Sequence, residues 1–157
     1  MIMGVSASGK SSVGRALAQA LRATFVEGDE LHPERNRRAM QSGHPLNDEM
    51  RRDWLDALAQ RVATSPGRIV FACSALKRRY RDRLRRRLGP IDIAWQTGPH
   101  ALLRRRIEAR TGHFFPPHLL AAQLADLQPP WHEPRVLILD IRLAVPAQVR
   151  RAAHRFG

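Results

Sequence analysis

The 157-residue chain holds one cysteine, one tyrosine and two lysines, and aromatic side chains make up only 6% of it. A lone cysteine, Cys73, excludes an internal disulfide. Few aromatics mean few platforms on which the bases of single-stranded nucleic acid could stack. No apolar run approaches the ~20 residues that a membrane-spanning helix needs. Only three residues precede the first glycine-rich motif, too few for a signal peptide, which with the single cysteine points to the cytoplasm. Acidic residues are also scarce, 14 against 27 Lys and Arg, for a net charge of +13. That field favours anionic partners. Because arginine stands in for lysine almost everywhere, most of the bias reads as a solvated arginine-rich surface, and phosphate-bearing small molecules are its natural beneficiaries.

What is present is ordinary globular composition, 43% hydrophobic and 26% charged. A chain of this length forms one domain, spanning 1–157, and buries roughly 70% of its unfolded surface. Gly4-Val5-Ser6-Ala7-Ser8-Gly9-Lys10-Ser11 matches G-x-x-x-x-G-K-[ST]. In such a loop backbone N–H groups point at phosphate oxygens, and the helix that follows adds its positive N-terminal end. Gly4 to Ser12 is therefore the expected nucleoside triphosphate cradle. Lys10 would reach the β- and γ-phosphates, and the Ser11 hydroxyl would take one Mg²⁺ position. Val13, Ala16, Leu17, Ala20 and Leu21 recur at helical spacing, so a helix does follow the loop.

Strand-like runs then alternate with helical patterns, the sign of a parallel α/β sheet. Strands are expected at Thr24–Glu27, Ile69–Cys73, Ile91–Trp95 and Val136–Asp140, with Met1–Met3 as a clipped first strand. This gives a five-stranded parallel sheet flanked by helices. Trp54, Leu55, Leu58 and Val62 mark one helix, and Leu76, Tyr80, Leu84 and Leu88 another. Pro99 and Pro117 suit first helical positions. Two stretches, 28–50 and 110–117, are polar or broken by Gly and Pro, and read as a substrate loop and a lid.

Asp29 follows the second strand directly, at the sheet edge beside the phosphate loop, where its carboxylate can orient and deprotonate a hydroxyl. Glu27, two residues earlier on the same strand face, can hold Mg²⁺ through water. The segments GVSASGKSS, GDELHPERNRRAM, SGHPLNDEMRRDWL, CSALKRRYRDRLR and ARTGHFFPPHLLAAQL occur in that order. With them the chain closely resembles the bacterial gluconate kinases of the thermoresistant type, from Gly4 to about Asp140. The resemblance implies a P-loop NTPase fold of the nucleoside-monophosphate-kinase kind, ATP with Mg²⁺, phosphorylation of D-gluconate at its C6 hydroxyl, and a homodimer. By the same resemblance Asp29, His32 and Asn36 surround the sugar acid, and Lys77 and Arg81 add positive charge to it. Arg106 and Arg110 would reach the transferred phosphate, and His113 would close over the site.

Several positions depart from the family pattern. Ala7 stands where glycine is usual, Ala39 for lysine, Met50 for an acid and Asp53 for proline, while Arg142 and Leu143 replace a polar and acidic pair where adenine is expected. Other readings compete. Shikimate or a nucleoside monophosphate would call for a different loop after Asp29. A nucleic-acid-binding role would use Arg78, Arg79, Arg81, Arg83, Arg85, Arg86 and Arg87, but no nucleic-acid-binding signature accompanies them. A metal enzyme is disfavoured because His113 and His118, five apart, share no helical face.

Overall fold

The computed structural model describes residues 1–109 and 117–157. In chain order the strands are β1 (Ile2–Met3), β2 (Thr24–Glu27), β3 (Ile69–Cys73), β4 (Ile93–Thr97) and β5 (Val136–Asp140). The helices are α1 (Lys10–Ala20), α2 (Glu34–Gln41), α3 (Asp48–Thr64), α4 (Arg78–Leu88), α5 (His100–Glu108), α6 (Pro117–Asp126) and α7 (Val145–Phe156), with a 3₁₀ turn at Gly28–Leu31. All strands are parallel and ordered β2-β3-β1-β4-β5.

The short first strand is central. Ile2 and Met3 pair with Ala72 and Cys73 on one side and with Ala94 and Trp95 on the other. Met1 extends the ladder, its carbonyl accepting from the Ala94 N–H at 2.9 Å. Two residues suffice because both neighbours satisfy the strand's backbone and both faces are covered. Alternation of side chains divides the core in two. Met3, Val26, Phe71, Cys73, Ile93 and Trp95 pack with Trp54, Leu55 and Leu58 of α3 and with Tyr80 and Leu84 of α4. Ile2, Val70, Ala94 and Leu139 pack on the other face with Val13 and Leu17 of α1 and Ala152 of α7.

Four expectations shift. The stretch 28–50 is largely helical, holding α2 and the start of α3, because Asn47 caps α3 by accepting from the Met50 N–H at 2.9 Å. The strand expected at Ile91–Trp95 runs from Ile93 to Thr97, and Pro99 is the residue before α5 rather than its first. Helix α7 was not anticipated. Its Val145, Val149, Ala153 and Phe156 carry a helical stripe that packs on the α1 side of the sheet. Among the described residues no helix is long and apolar enough to cross a membrane.

Ala7 adopts φ 61°, the left-handed region where a Cβ costs about 1 kcal/mol. Its methyl is buried against Leu103, Ile107 and Leu120, which offsets the cost by about 0.8 kcal/mol. Glycine would also cost about 0.4–1 kcal/mol in unfolded-chain entropy. These magnitudes nearly cancel, so Ala7→Gly should leave stability in urea within about 1 kcal/mol of the parent.

Candidate active site

A cavity of about 770 Å³ opens at the C-terminal edge of the sheet, within the range that small-molecule sites occupy. The phosphate loop lines it through Ser6, Ala7, Gly9, Lys10, Ser11 and Ser12, and Glu27, Asp29, His32, His44, Arg51 and Gln123 are among the other polar residues of its wall. Gly9, at φ 102°, makes the left-handed turn that starts α1 and aims its first N–H groups into the cavity. Lys10 is folded back, its Nζ donating to the Val5 carbonyl at 3.1 Å. Gly4, Val5 and Ser8 of the same loop do not line the cavity; Ser8 is buried beside Gln96.

Asp29 is placed by its neighbours. A Cβ on Gly28 would stand 2.2 Å from the Ala72 carbonyl oxygen, so only glycine lets the chain leave β2 this close to β3. The Trp54 indole N–H donates to the Gly28 carbonyl at 2.7 Å, and its ring stacks on His32 at 4.2 Å between centroids. Asp29 itself stays open to the cavity. The His32 Nε2 lies 4.0 Å from its Oδ1.

Asn36 acts behind His32 and does not touch the cavity. It is fully buried, and its amide nitrogen donates to the Met50 carbonyl at 2.9 Å. That acceptor fixes which end of the amide faces inward. The same nitrogen is 3.3 Å from the His32 Nδ1, which must then accept, leaving the imidazole proton on Nε2, beside Asp29. Met50 contributes through its backbone carbonyl, a role that any residue fills.

Burial pushes the His32 imidazole down from 6.5 to about 4, with Asp29 opposing and Arg51 and Arg37 reinforcing the shift. The folded site therefore holds a neutral histidine at neutral pH. Above pH 6.5 folded and unfolded chains agree and no penalty arises. As pH falls from 6.5 to 4 the unfolded chain takes up a proton that the folded one refuses, and stability drops by about 3 kcal/mol in total. Urea denaturation of the parent and of His32→Gln should show the parent losing about 2 kcal/mol more between pH 7.5 and 4.5. Parallel losses would contradict the assignment.

Three other expected site residues are engaged elsewhere. Arg81 is 1% exposed, and its guanidinium is saturated by Glu133, at 2.9 and 3.0 Å from Nε, and by the carbonyls of Ala75, Leu76 and Gln128. It lies outside the cavity lining. Lys77 bridges Asp126 at 3.0 Å and Asp48 at 3.4 Å, joining α3, α4 and α6. Arg106 donates to the Ser8 and Ala7 carbonyls at 3.3 and 3.5 Å and to the Ile141 carbonyl at 2.8 Å, clamping the back of the phosphate loop to the end of β5. A long cation beside buried carbonyls or carboxylates takes them as partners. Arg110, His113 and the lid around them lie outside the described residues.

Sequence reasoning missed other participants. Gln123 of α6 accepts from the Ser6 N–H at 2.7 Å and donates to its hydroxyl at 3.0 Å, tying the helix after the lid to the loop. Buried Gln96 and Gln148 join at 2.8 Å and connect the loop region to the Leu143 carbonyl. Their signal was weak, since a single glutamine on an apolar strand or helix says nothing of its partner. Arg51 was passed over inside a run of charges. The departures have local accounts: Asp53 pairs with Arg35, and Arg142 folds onto Asp140, its guanidinium holding that carboxyl down at about 2.

For a magnesium ion, the relevant observation is Glu27. Its Oε1 is buried with no hydrogen-bond partner among the described residues, and Glu27 and Ser11 both line the cavity. A hard-oxygen donor pair of this kind fits Mg²⁺. No group of three or more His, Cys, Asp or Glu among the described residues forms a metal centre of its own. Nucleic-acid binding by α4 is disfavoured by its geometry. Arg78, Arg79, Arg83, Arg85 and Arg87 pair with Asp82, Asp48, Asp56, Glu133 and Asp56, besides Arg81 with Glu133.

The family model for the AAA domain matches residues 1–130. The thermoresistant gluconokinase of Escherichia coli (strain K12) is 42% identical over 145 residues, covering 90% of this chain and 83% of that protein. The gluconokinase of Gluconobacter oxydans (strain 621H) is 41% identical over 141 residues, covering 87% and 79%. The crystal structure of a gluconokinase from Sinorhizobium meliloti 1021 superposes with a TM-score of 0.90 at 44% identity, covering 98% of this chain and 88% of that one.

Proposed function

Because this chain belongs to the gluconokinase family, we propose that it transfers the γ-phosphoryl group of ATP to the C6 hydroxyl of D-gluconate, giving 6-phospho-D-gluconate and ADP. The observation that carries this reading is the cavity in which the phosphate loop faces an open Asp29 held by Gly28, Trp54 and His32.

Phosphoryl transfer leaves the protein mainly positioning and charge neutralisation to do. The N–H groups at the start of α1 and the Lys10 ammonium meet the phosphate chain. Asp29 orients the acceptor hydroxyl and takes its proton as the bond to phosphorus forms. Neutral His32 offers its Nε2 proton to a sugar hydroxyl or to Asp29, without adding positive charge that would hold back deprotonation. Ser11, directly, and Glu27, through water, are the residues that would hold Mg²⁺, which when bound neutralises charge on the phosphate oxygens. Arg110 and His113 keep their expected part in the lid.

The rest of the reading is a cytoplasmic homodimer. In support, Trp131 and Ile138 are 57% and 44% exposed, and both border Trp95, the first by an edge-to-face contact and the second by strand pairing at the β5 edge. The experiment is a coupled assay for ADP release over a panel of sugar acids and shikimate, with ³¹P NMR of the product. Turnover of another acceptor with none of gluconate would overturn the reading.

A further inference from the structure

Gluconate carries a carboxylate at the end opposite its reacting hydroxyl, and a cavity that selects it needs a cation there. The two cations expected for that task, Lys77 and Arg81, are bound to Asp126, Asp48 and Glu133 and do not line the cavity. Among the described residues three strong cations do: Lys10, Arg15 and Arg51. Lys10 belongs to the phosphate loop by its spacing. Arg15 is 61% exposed on α1, lies over the Phe25 ring and faces Glu30 at 3.8 Å. Neither is placed to read the far end of a sugar acid.

Arg51 differs from both. It is only 7% exposed, in the first turn of α3, with its Nε donating to the Leu46 carbonyl at 3.2 Å and its guanidinium 5.8 Å from the centre of the Tyr80 ring. Its Nη2 is 3.7 Å from Asp126, beyond hydrogen-bond reach. Neither terminal nitrogen therefore makes a hydrogen bond among the described residues. Arg51 is also one of the residues that line the cavity. A fixed planar fork with unspent donors in a concave wall matches a carboxylate.

We infer that Arg51 is the specificity-determining residue that pairs with the carboxylate of the sugar acid, an assignment that rests on the gluconate reading above. Asp126, 3.7 Å away, is then the second-rank partner that keeps the guanidinium aligned before the acid binds. Such a contact exists in the ground state and the transition state alike, so its loss raises KM for the acid far more than it lowers kcat.

The test compares D-gluconate with D-gluconamide, which has the same hydroxyls and no charge, in the parent, Arg51→Gln and Arg51→Lys, with thermal unfolding to establish that each variant folds. The parent should prefer gluconate strongly. Arg51→Gln should raise the gluconate KM roughly 10- to 150-fold, leave KM for ATP within about threefold, and erase most of the preference for gluconate over the amide. Arg51→Lys restores a point charge without the fork and should still raise the gluconate KM roughly tenfold. An unchanged gluconate KM in either folded variant, or an undiminished preference over the amide, overturns the assignment. A parent that phosphorylates neither compound while turning over a different acceptor overturns the gluconate reading instead.

Discussion

Asp29→Asn should lower kcat by roughly 10²- to 10⁴-fold, the range that loss of a positioned proton acceptor produces. Asparagine keeps the shape and still orients a hydroxyl, so KM for the acceptor should change far less than kcat. Asp29 is exposed at the cavity wall, and the neighbours that fix the backbone, Gly28 and Trp54, stay in place. Thermal stability should therefore stay close to the parent's. The His32 side chain is the internal control. If Asp29 is the acceptor, His32→Gln alters kcat less than Asp29→Asn does, because His32 stands beside Asp29 without taking the proton. A kcat for Asp29→Asn within tenfold of the parent would move the role to another group.

Arg81→Met should destabilise the fold by about 3–5 kcal/mol, the cost of breaking a buried ion pair by removing one partner. Burial opposes ionisation of Glu133, but hydrogen bonds from Arg81 and Arg85 outweigh it and hold its carboxyl below the usual value. Removing Arg81 leaves one charge partner, Arg85 at 2.7 Å. It also strips donors from the carbonyls of Ala75, Leu76 and Gln128, and so unfastens the turn between β3 and α4 from the segment after α6. Adding Glu133→Leu should recover part of the loss, since replacing a buried pair by apolar groups is often close to neutral. Urea unfolding of the two variants reads both effects. A substrate-binding Arg81 would behave in the opposite way, with KM for gluconate raised and stability unchanged.

These two residues show where sequence reading holds and where it gives out. Asp29 follows a short β-branched and aromatic strand and precedes a turn, so its place at the sheet edge is signalled by neighbours within a few residues, although Ala72 and Trp54 help to hold it there. The phosphate loop is likewise local: Gly9, Lys10 and Ser11 take their positions from the turn and from the helix it starts. Even Ala7, which breaks the pattern, adopts the left-handed backbone that the loop demands. The strands were legible for a related reason, because a sheet buried on both faces needs continuous apolar runs. The short β1 is the instructive case. Its two residues look inadequate alone and are sufficient only with a strand paired on each side.

Arg51, Lys77, Arg81 and Arg106 could not be ranked from sequence. All are long cations near motifs, and the energy of each is set by whichever acceptor the fold brings within about 3 Å. For Arg81 that acceptor is 52 residues away in the chain, and for Arg106 the Ile141 carbonyl is 35 away. Asn36 was legible as important, yet it stands behind His32, where it sets the tautomer of that ring, and it does not line the cavity. By itself, the sequence determined the phosphate cradle, the strand that presents Asp29 and the acceptor class implied by the motifs. Only the tertiary structure decided which cations remain available to an anion in the cavity, because charge pairing in a folded chain depends on distance through space and on burial, neither of which spacing along the chain encodes.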